Sequence, residues 1–292
     1  LGAMGFSSQK PERRAIELRY IPLRDDGTLD LAALPRLLDE RVKLVSFMHV
    51  SNVLGTVNPV AELVAAAHAV GARVLLDAAQ SVPHVPVDVQ TLEADFLAFS
   101  LHKMCGPTGM GALWGRYDQL QRVAPFIVGG DTIADTWQDR VLYKEPPGRF
   151  EAGLQDYAGM LGAAEAIRYV RDHVGLKAIQ AHEHHLNAYM TERLLPLECD
   201  HFWIRGPRDA ALRGGVLTMS SSSGAVLNAI ERLWQVMHRH VTHNRYHPDF
   251  RSFAEAVMRF FTATLPEKWH EIRDTVTDNF HIIDPGKFRL VG

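Results

Sequence analysis

Apolar positions along the first two hundred residues come in short runs separated by amphipathic stretches. "ELRYIPL" reads as a short strand, "DDGT" as a turn and "DLAALPRLLDER" as a helix. "VKLVSFMHV" (42–50) is mostly apolar, as a strand buried on both faces should be. Asn58-Pro59 opens the helix "PVAELVAAAHAVGA", which ends near Gly71; proline is tolerated in a first helical turn. "RVLLDAAQS" and "ADFLAFSLHK" are the next buried strands, and "GALWGR" is a strand that can hairpin back. Strands alternating with helices of this length predict an α/β fold, a mostly parallel sheet with helical covers. Such sheets bind ligands beyond the carboxyl ends of their strands. Asp77, Gln80, Ser100, His102 and Lys103 all fall at or just past such ends.

Periodicity fades between 124 and 157, and a stretch of that length predicts a functional or interface loop. Two helices follow, "AGMLGAAEAIRYVRDHVG" and "LKAIQAHEHHLNAYMTERLL", then short strands "HFWIRGP" and "RGGVLTMS". The serine run at 220–223 is a breaker. Beyond it strands no longer alternate with helices. Leu227, Ile230, Leu233, Met237 and Val241 recur at helical spacing, as do Phe250, Phe253, Val257, Phe260 and Phe261. Three segments result: an unassigned leader (1–16), an α/β domain (17–219) and a helical tail (220–292).

Composition narrows the function classes. A net charge of −3 argues against a nucleic-acid or membrane-surface partner for the chain as a whole. Two cysteines, Cys105 and Cys199, make no disulfide framework, so a reducing cytoplasm is expected. No apolar run approaches about 18 residues, so no spanning helix is expected.

The candidate chemistry centres on "FSLHKMCGPTGMGALWGR". A lysine attacks carbonyls only as a free amine and needs a tuned environment to do so. An enzyme that holds pyridoxal phosphate (PLP) through a lysine also needs an acid at the pyridine nitrogen, donors for the phosphate and a group beside the ring hydroxyl. Asp77, ending the neighbouring strand, suits the acid. Ser100 and His102 can donate to phosphate, and Gln80 and Asn52 can bond the ring hydroxyl or the lysine linkage. Taken singly, a strand-end lysine is usually a solvated charge and a strand-end aspartate a helix cap. Their occurrence on adjacent strands, with serine, histidine and glutamine at one sheet edge, favours the site.

Four motifs, "HVSNVLGTVNPV", "DAAQSVPHVPVDV", "DFLAFSLHKMCGPTGMGALWG" and "RFEAGLQDYAG", resemble cysteine desulfurases that supply sulfur for iron–sulfur assembly, within the class V aminotransferase-like, fold-type I PLP enzymes. The resemblance covers roughly residues 17–219. It implies part of the large domain of that fold, followed by the helical tail. It also implies PLP as cofactor, L-cysteine as substrate, a sulfur-acceptor protein and a homodimer. Lys103 is then the Schiff-base lysine, Asp77 the pyridinium partner, Gln80 the ring-oxygen contact, Ser100 and His102 the phosphate contacts, and Asn52 a neighbour of the linkage or the substrate carboxylate.

The chain departs from that pattern in several places. Leu101 stands where the family usually has glycine. Leu154 stands where it usually has the threonine that reaches the cofactor phosphate of the second subunit. The family's phosphate loop and ring-stacking histidine, which precede the matching region, have no counterpart. Nor do the later cysteine loop and carboxylate-binding arginine. On this reading the chain is incomplete and impaired.

The tail from about 224, with "NAIERLW", resembles the C-terminal end of DDE-type transposases, where Glu231 corresponds to a metal-binding carboxylate. That makes a transposase-derived DNA-binding fragment, or an inactive fusion relic, the alternative. One carboxylate cannot build a two-metal site, so Glu231 reads as a surface charge. His182 and His185, like His240 and His243, are spaced to share a helix face, yet no further ligand set accompanies them. Cys105 reads as a small buried residue in a tight turn and Cys199 as structural.

Overall fold

The computed structural model describes residues 16–199 and 202–221, together with isolated positions 256, 259, 264 and 267. The serine-run boundary's far side, with Glu231, His240 and His243, lies outside the described residues, as does most of the leader. The chain divides into two units, one of residues 1–51 and 57–179, the other of residues 52–56 and 180–292.

In the first unit the apolar runs become strands β1 (Leu44–Met48), β2 (Arg73–Asp77) and β3 (Phe96–Ser100), with β4 (Gly111–Gly115) returning beside β3. The sheet order is β1-β2-β3-β4; the first two pairings are parallel and the last antiparallel. Helix α2 (Val60–Ala69) lays Val60, Leu63, Val64 and Ala67 over Val45 and Phe47 of β1, Val74 and Leu76 of β2 and Leu97 of β3. Each of these valine, leucine and phenylalanine side chains stabilises the fold by about 1.5–3 kcal/mol on burial.

The apolar run of β1 is not buried on both faces. Val45 and Phe47 are buried, whereas Leu44 is 50 % exposed and Ser46 is exposed. β1 therefore follows the two-residue alternation of a half-covered strand. The stretch "ELRYIPL" is not a strand either: only Leu23 pairs, in an isolated bridge to Leu29. "DLAALPRLLDER" contracts to a 3₁₀ turn (Leu31–Ala33) and a short α1 (Leu34–Leu37). Pro35 explains the break, because it has no N–H to carry a helix through.

Two further helices of this unit carry aspartate caps. Asp88 caps α3 (Val89–Leu92), accepting from the Gln90 amide at 2.9 Å, and Asp156 caps α5 (Tyr157–Arg168), accepting from the Gly159 amide at 2.8 Å. Between them run α4 (Tyr117–Leu120) and, within the stretch of weak periodicity, a small hairpin, β5 (Ile133–Thr136) and β6 (Val141–Tyr143). α5 passes into a π-helical stretch, Tyr169–Val174, that Gly175 ends. At the amino-terminal edge of β2 and β3, the buried Asp95 accepts from the Val74 amide at 2.8 Å and pairs with His68 Nε2 at 2.9 Å.

The second unit pairs β7 (Phe202–Arg205) antiparallel with β8 (Thr218–Ser221). α6 (Leu176–Leu194) buries the polar Asn187 and Thr191 rather than an apolar stripe. Asn187 Nδ2 donates to the Gly214 carbonyl at 2.6 Å, and Thr191 Oγ1 donates to the Asn187 carbonyl at 2.6 Å. Arg213 donates from Nη2 to Thr191 Oγ1, while its buried Nε and Nη1 have no partner among the described residues; burial lowers its pKa from the ordinary arginine value.

Candidate functional site

The lysine region is a turn closed on itself. β3 ends at Ser100, whose backbone pairs with Gly111. The chain then tightens into a 3₁₀ turn, Leu101–Met104, so Lys103 lies in that turn and not at a strand end as the sequence pattern implies. The Gly106 amide donates to the Leu101 carbonyl at 2.9 Å, and the Leu101 amide to the Met110 carbonyl at 3.0 Å. A Cβ on Gly106 would lie 2.7 Å from the Leu101 carbonyl oxygen, so the turn admits only glycine at that spacing. Cys105 takes the left-handed conformation (φ 64°) that closes the 3₁₀ turn. It is exposed, not buried as its sequence context suggests, and Cys199 is exposed too.

Leu101 and Met104 point into a small cluster with Ala163 of α5, packed against Val82, Phe99 and Met110. α5 approaches through small residues: a Cβ on Gly162 would meet Pro107 Cγ at 2.8 Å. The lysine turn is thus clamped between β4 and α5 by its two apolar members, leaving His102 exposed and Lys103 half-buried.

Lys103 Nζ donates to Gln80 Oε1 at 2.7 Å. Gln80 follows β2 by three residues, and β2 lies beside β3 with Asp77 opposite Ala98. Asp77 is exposed; its Oδ1 accepts from the Ala79 amide at 3.0 Å, and its carbonyl accepts from the His49 amide at 2.8 Å. The structure therefore joins Lys103 and Gln80 directly and sets Asp77, Ser100 and His102 at the same carboxyl edge. Asn52 belongs to the second unit, on the turn Asn52–Leu54, and is exposed.

Sequence reasoning missed His49. It is the residue after β1, one strand over from Asp77, and its Nδ1 is buried without a hydrogen-bond partner among the described residues. Burial pushes the ring's pKa below the ordinary histidine value, so it is neutral near neutral pH. The signal was its place at a strand's carboxyl end within "VKLVSFMHV". No group of three or more His, Cys, Asp or Glu among the described residues could hold a metal ion.

The side chains fit PLP. Lys103 meets a neutral amide oxygen and, among the described residues, no carboxylate. Among the described residues the Ser100 hydroxyl and the His102 ring have no hydrogen-bond partner, so both are available as phosphate donors. Asp77 Oδ2 is likewise available for a ring nitrogen. An amine, an acid, a hydroxyl and an imidazole at one sheet edge form the donor set such a group requires.

Comparison with known proteins agrees with that chemistry. The family model "Aminotransferase class-V" matches residues 7–230. A probable cysteine desulfurase of Streptomyces coelicolor is 44% identical over 209 residues, which are 72% of this chain and 49% of that protein. A cysteine desulfurase of Dickeya dadantii is 50% identical over 179 residues, 61% of this chain and 43% of that protein. Among solved structures, the apo cysteine desulfurase of Thermococcus onnurineus NA1 superposes with a TM-score of 0.68 at 36% identity, covering 83% of this chain and 58% of that one. The Escherichia coli cysteine desulfurase CsdA gives 0.64 at 28% identity, covering 74% and 52%. The chain spans about half the length of the curated relatives it matches. No helix among the described residues is long and apolar enough to cross a membrane.

Proposed function

Because the chain belongs to the aminotransferase class-V family of PLP-dependent enzymes, we propose that its site serves a cysteine desulfurase, taking sulfur from L-cysteine for iron–sulfur cluster assembly. The observation that carries the reading is the 2.7 Å bond from Lys103 Nζ to Gln80 Oε1 at the edge that also bears Asp77.

Each residue has a role in this proposal. Lys103 is the amine that anchors the cofactor, and Gln80 holds that amine in place through a neutral acceptor. A carboxylate in the place of Gln80 would stabilise the ammonium form and suppress nucleophilic attack. Asp77 keeps a proton on the pyridine nitrogen. Ser100 and His102 hold the phosphate. When bound, PLP supplies an electron sink for bond cleavage at the substrate's α-carbon.

Two partners complete the proposal. A sulfur-acceptor protein takes the product sulfur. A second copy of the chain covers exposed apolar side chains, among them Phe126, which is 97% exposed, and Leu154.

The test is PLP titration followed by absorbance. A lysine-linked band is expected in the unsubstituted protein and is expected to vanish in Lys103→Ala. No band, or one that survives Lys103→Ala, refutes the cofactor assignment. Alanine release from L-cysteine, with sulfide release when a thiol reductant is added to reduce the transferred sulfur, then tests the reaction; a loaded protein that consumes another amino acid in preference would refute the substrate.

A further inference from the structure

Two turns of the first unit meet at the lysine. One is the 3₁₀ turn Leu101–Met104 that carries Lys103. The other follows β2 and carries Gln80. Backbone fastens the base of this second turn. The Ala78 amide donates to the Ala98 carbonyl of β3 at 2.8 Å. The Ala78 carbonyl accepts from the Ser81 amide at 3.1 Å and the Val82 amide at 3.0 Å, and the Ser81 hydroxyl donates to it at 3.3 Å. Ala78 and Ser81 are fully buried, whereas Ala79 and Gln80 at the tip are half-buried. The 2.7 Å bond from Lys103 Nζ to Gln80 Oε1 thus spans two separate turns and lasts only while they keep their spacing.

Side chains set that spacing. Val82 packs against the core between α2 and the sheet, and also against the cluster of Leu101, Met104 and Ala163. Phe99 does both as well, but it lies on β3, the strand that leads into the lysine turn. Val82 belongs instead to the turn of Gln80. Leu101 and Met104 flank Lys103 along the chain. The Val82 side chain therefore ties the acceptor's turn to the donor's.

We propose that Val82 is a positioning residue for the Lys103–Gln80 pair: its side chain keys one turn against the other and so holds the amine in place. The bearing on cofactor binding rests on the reading of Lys103 as the cofactor's anchor. Val82 has no polar side-chain group to offer a ligand, and its effect runs through Gln80. A displacement of about 1 Å between the turns is enough to break a hydrogen bond and spoil such an arrangement.

The test uses the full chain. Val82→Ala removes the contact, and Val82→Thr keeps the branched shape. Val64→Ala is the control: it makes the same truncation in α2, in the core but away from the lysine turn's cluster. Two quantities are read. Without PLP, NMR follows the side-chain amide resonance of Gln80, and its shift in Lys103→Met marks loss of the contact. With PLP, absorbance titration gives the affinity.

Val82→Ala is expected to move the Gln80 resonance toward its position in Lys103→Met. It is also expected to weaken PLP binding about threefold, a fraction of what a lost hydrogen bond costs. Val82→Thr should match the unsubstituted chain in both. Val64→Ala should lower the melting temperature and leave both unchanged. Adding Val82→Ala to Gln80→Leu should weaken PLP binding no further. Should Val82→Ala fail to fold, Val82→Leu, apolar but of different shape, takes its place.

An unmoved Gln80 resonance in Val82→Ala overturns the proposal. So does an equal shift in Val64→Ala, or an additive double variant. An unsubstituted chain that shows no PLP band refutes the site reading, and the Gln80 resonance then still decides whether Val82 keys the two turns.

Discussion

Gly106→Ala probes the turn that carries Lys103. The new methyl would lie 2.7 Å from the Leu101 carbonyl oxygen, 2.9 Å from Leu101 Cβ and 3.1 Å from the Leu101 carbonyl carbon. All three belong to the backbone or its first side-chain atom, and Leu101 is itself held by Met110 and packed against Ala163. Relief therefore requires the turn to open and the Gly106–Leu101 hydrogen bond to stretch. Overpacking of this kind costs about 1–3 kcal/mol, and the lost bond about 1 kcal/mol more.

Gly109→Ala is the control. Gly109 has φ +84° but nothing within 4 Å of the added atom, so only backbone strain opposes the change, about 1–2 kcal/mol. The expected order of melting temperature is unsubstituted, then Gly109→Ala, then Gly106→Ala. Each kcal/mol shifts Tm by about 2–4 °C in a chain of this size class. Thermal unfolding by circular dichroism gives the order, and PLP absorbance reports whether the lysine is displaced. If Gly106→Ala melts with the unsubstituted protein, or above Gly109→Ala, the steric account of the turn is wrong.

Three further changes test the surroundings. Gln80→Leu removes the acceptor of Lys103 Nζ and, with it, the side chain proposed to contact the cofactor's ring oxygen, and PLP affinity should fall about tenfold by absorbance titration, as one lost hydrogen bond to the bound cofactor warrants. Asp95→Ala leaves the buried Val74 amide without an acceptor and takes His68's partner away; a loss of about 2–4 kcal/mol is expected in denaturant unfolding. His49 has a folded pKa below its unfolded one, so the unfolded chain binds more protons and stability falls as pH drops. Its contribution is complete above about pH 6.5 and is lost as pH falls through the folded value; His49→Gln should flatten that acid limb in pH-dependent unfolding, and an unchanged limb would clear His49 of the effect.

Local chemistry made much of this legible beforehand. The apolar runs of β2 and β3, the return of β4 and the opening of α2 beside Pro59 are written in short-range pattern. The carboxyl-edge placement of Asp77, Gln80 and Lys103 follows from the same pattern. What failed depended on distant partners. "ELRYIPL" alternates like a strand, yet no strand among the described residues lies beside it; Arg19 instead reaches the Leu37 carbonyl and Asp39. β1 is apolar on both faces while one face is covered, which composition cannot tell. The grouping of Asn52 with residues far along the chain arises from Thr218, Gly214 and Arg213, and nothing in "HVSNVLGT" announces them.

The reversal of direction at β4 has a consequence for how the site assembles. β3 and β4 are joined through residues 101–110, while the parallel pairs need the longer crossovers 49–72 and 78–95. The entropy lost on closing a loop grows with the logarithm of its length. The lysine turn is therefore the portion of the site with the lowest closure cost, and it can form from near neighbours alone. Gln80 reaches Lys103 only after the β2–β3 crossover closes. Loop-closure cost alone therefore favours the turn around the lysine over the contact with its acceptor, so a chain with β2 and β3 unpaired would hold its lysine without Gln80 beside it.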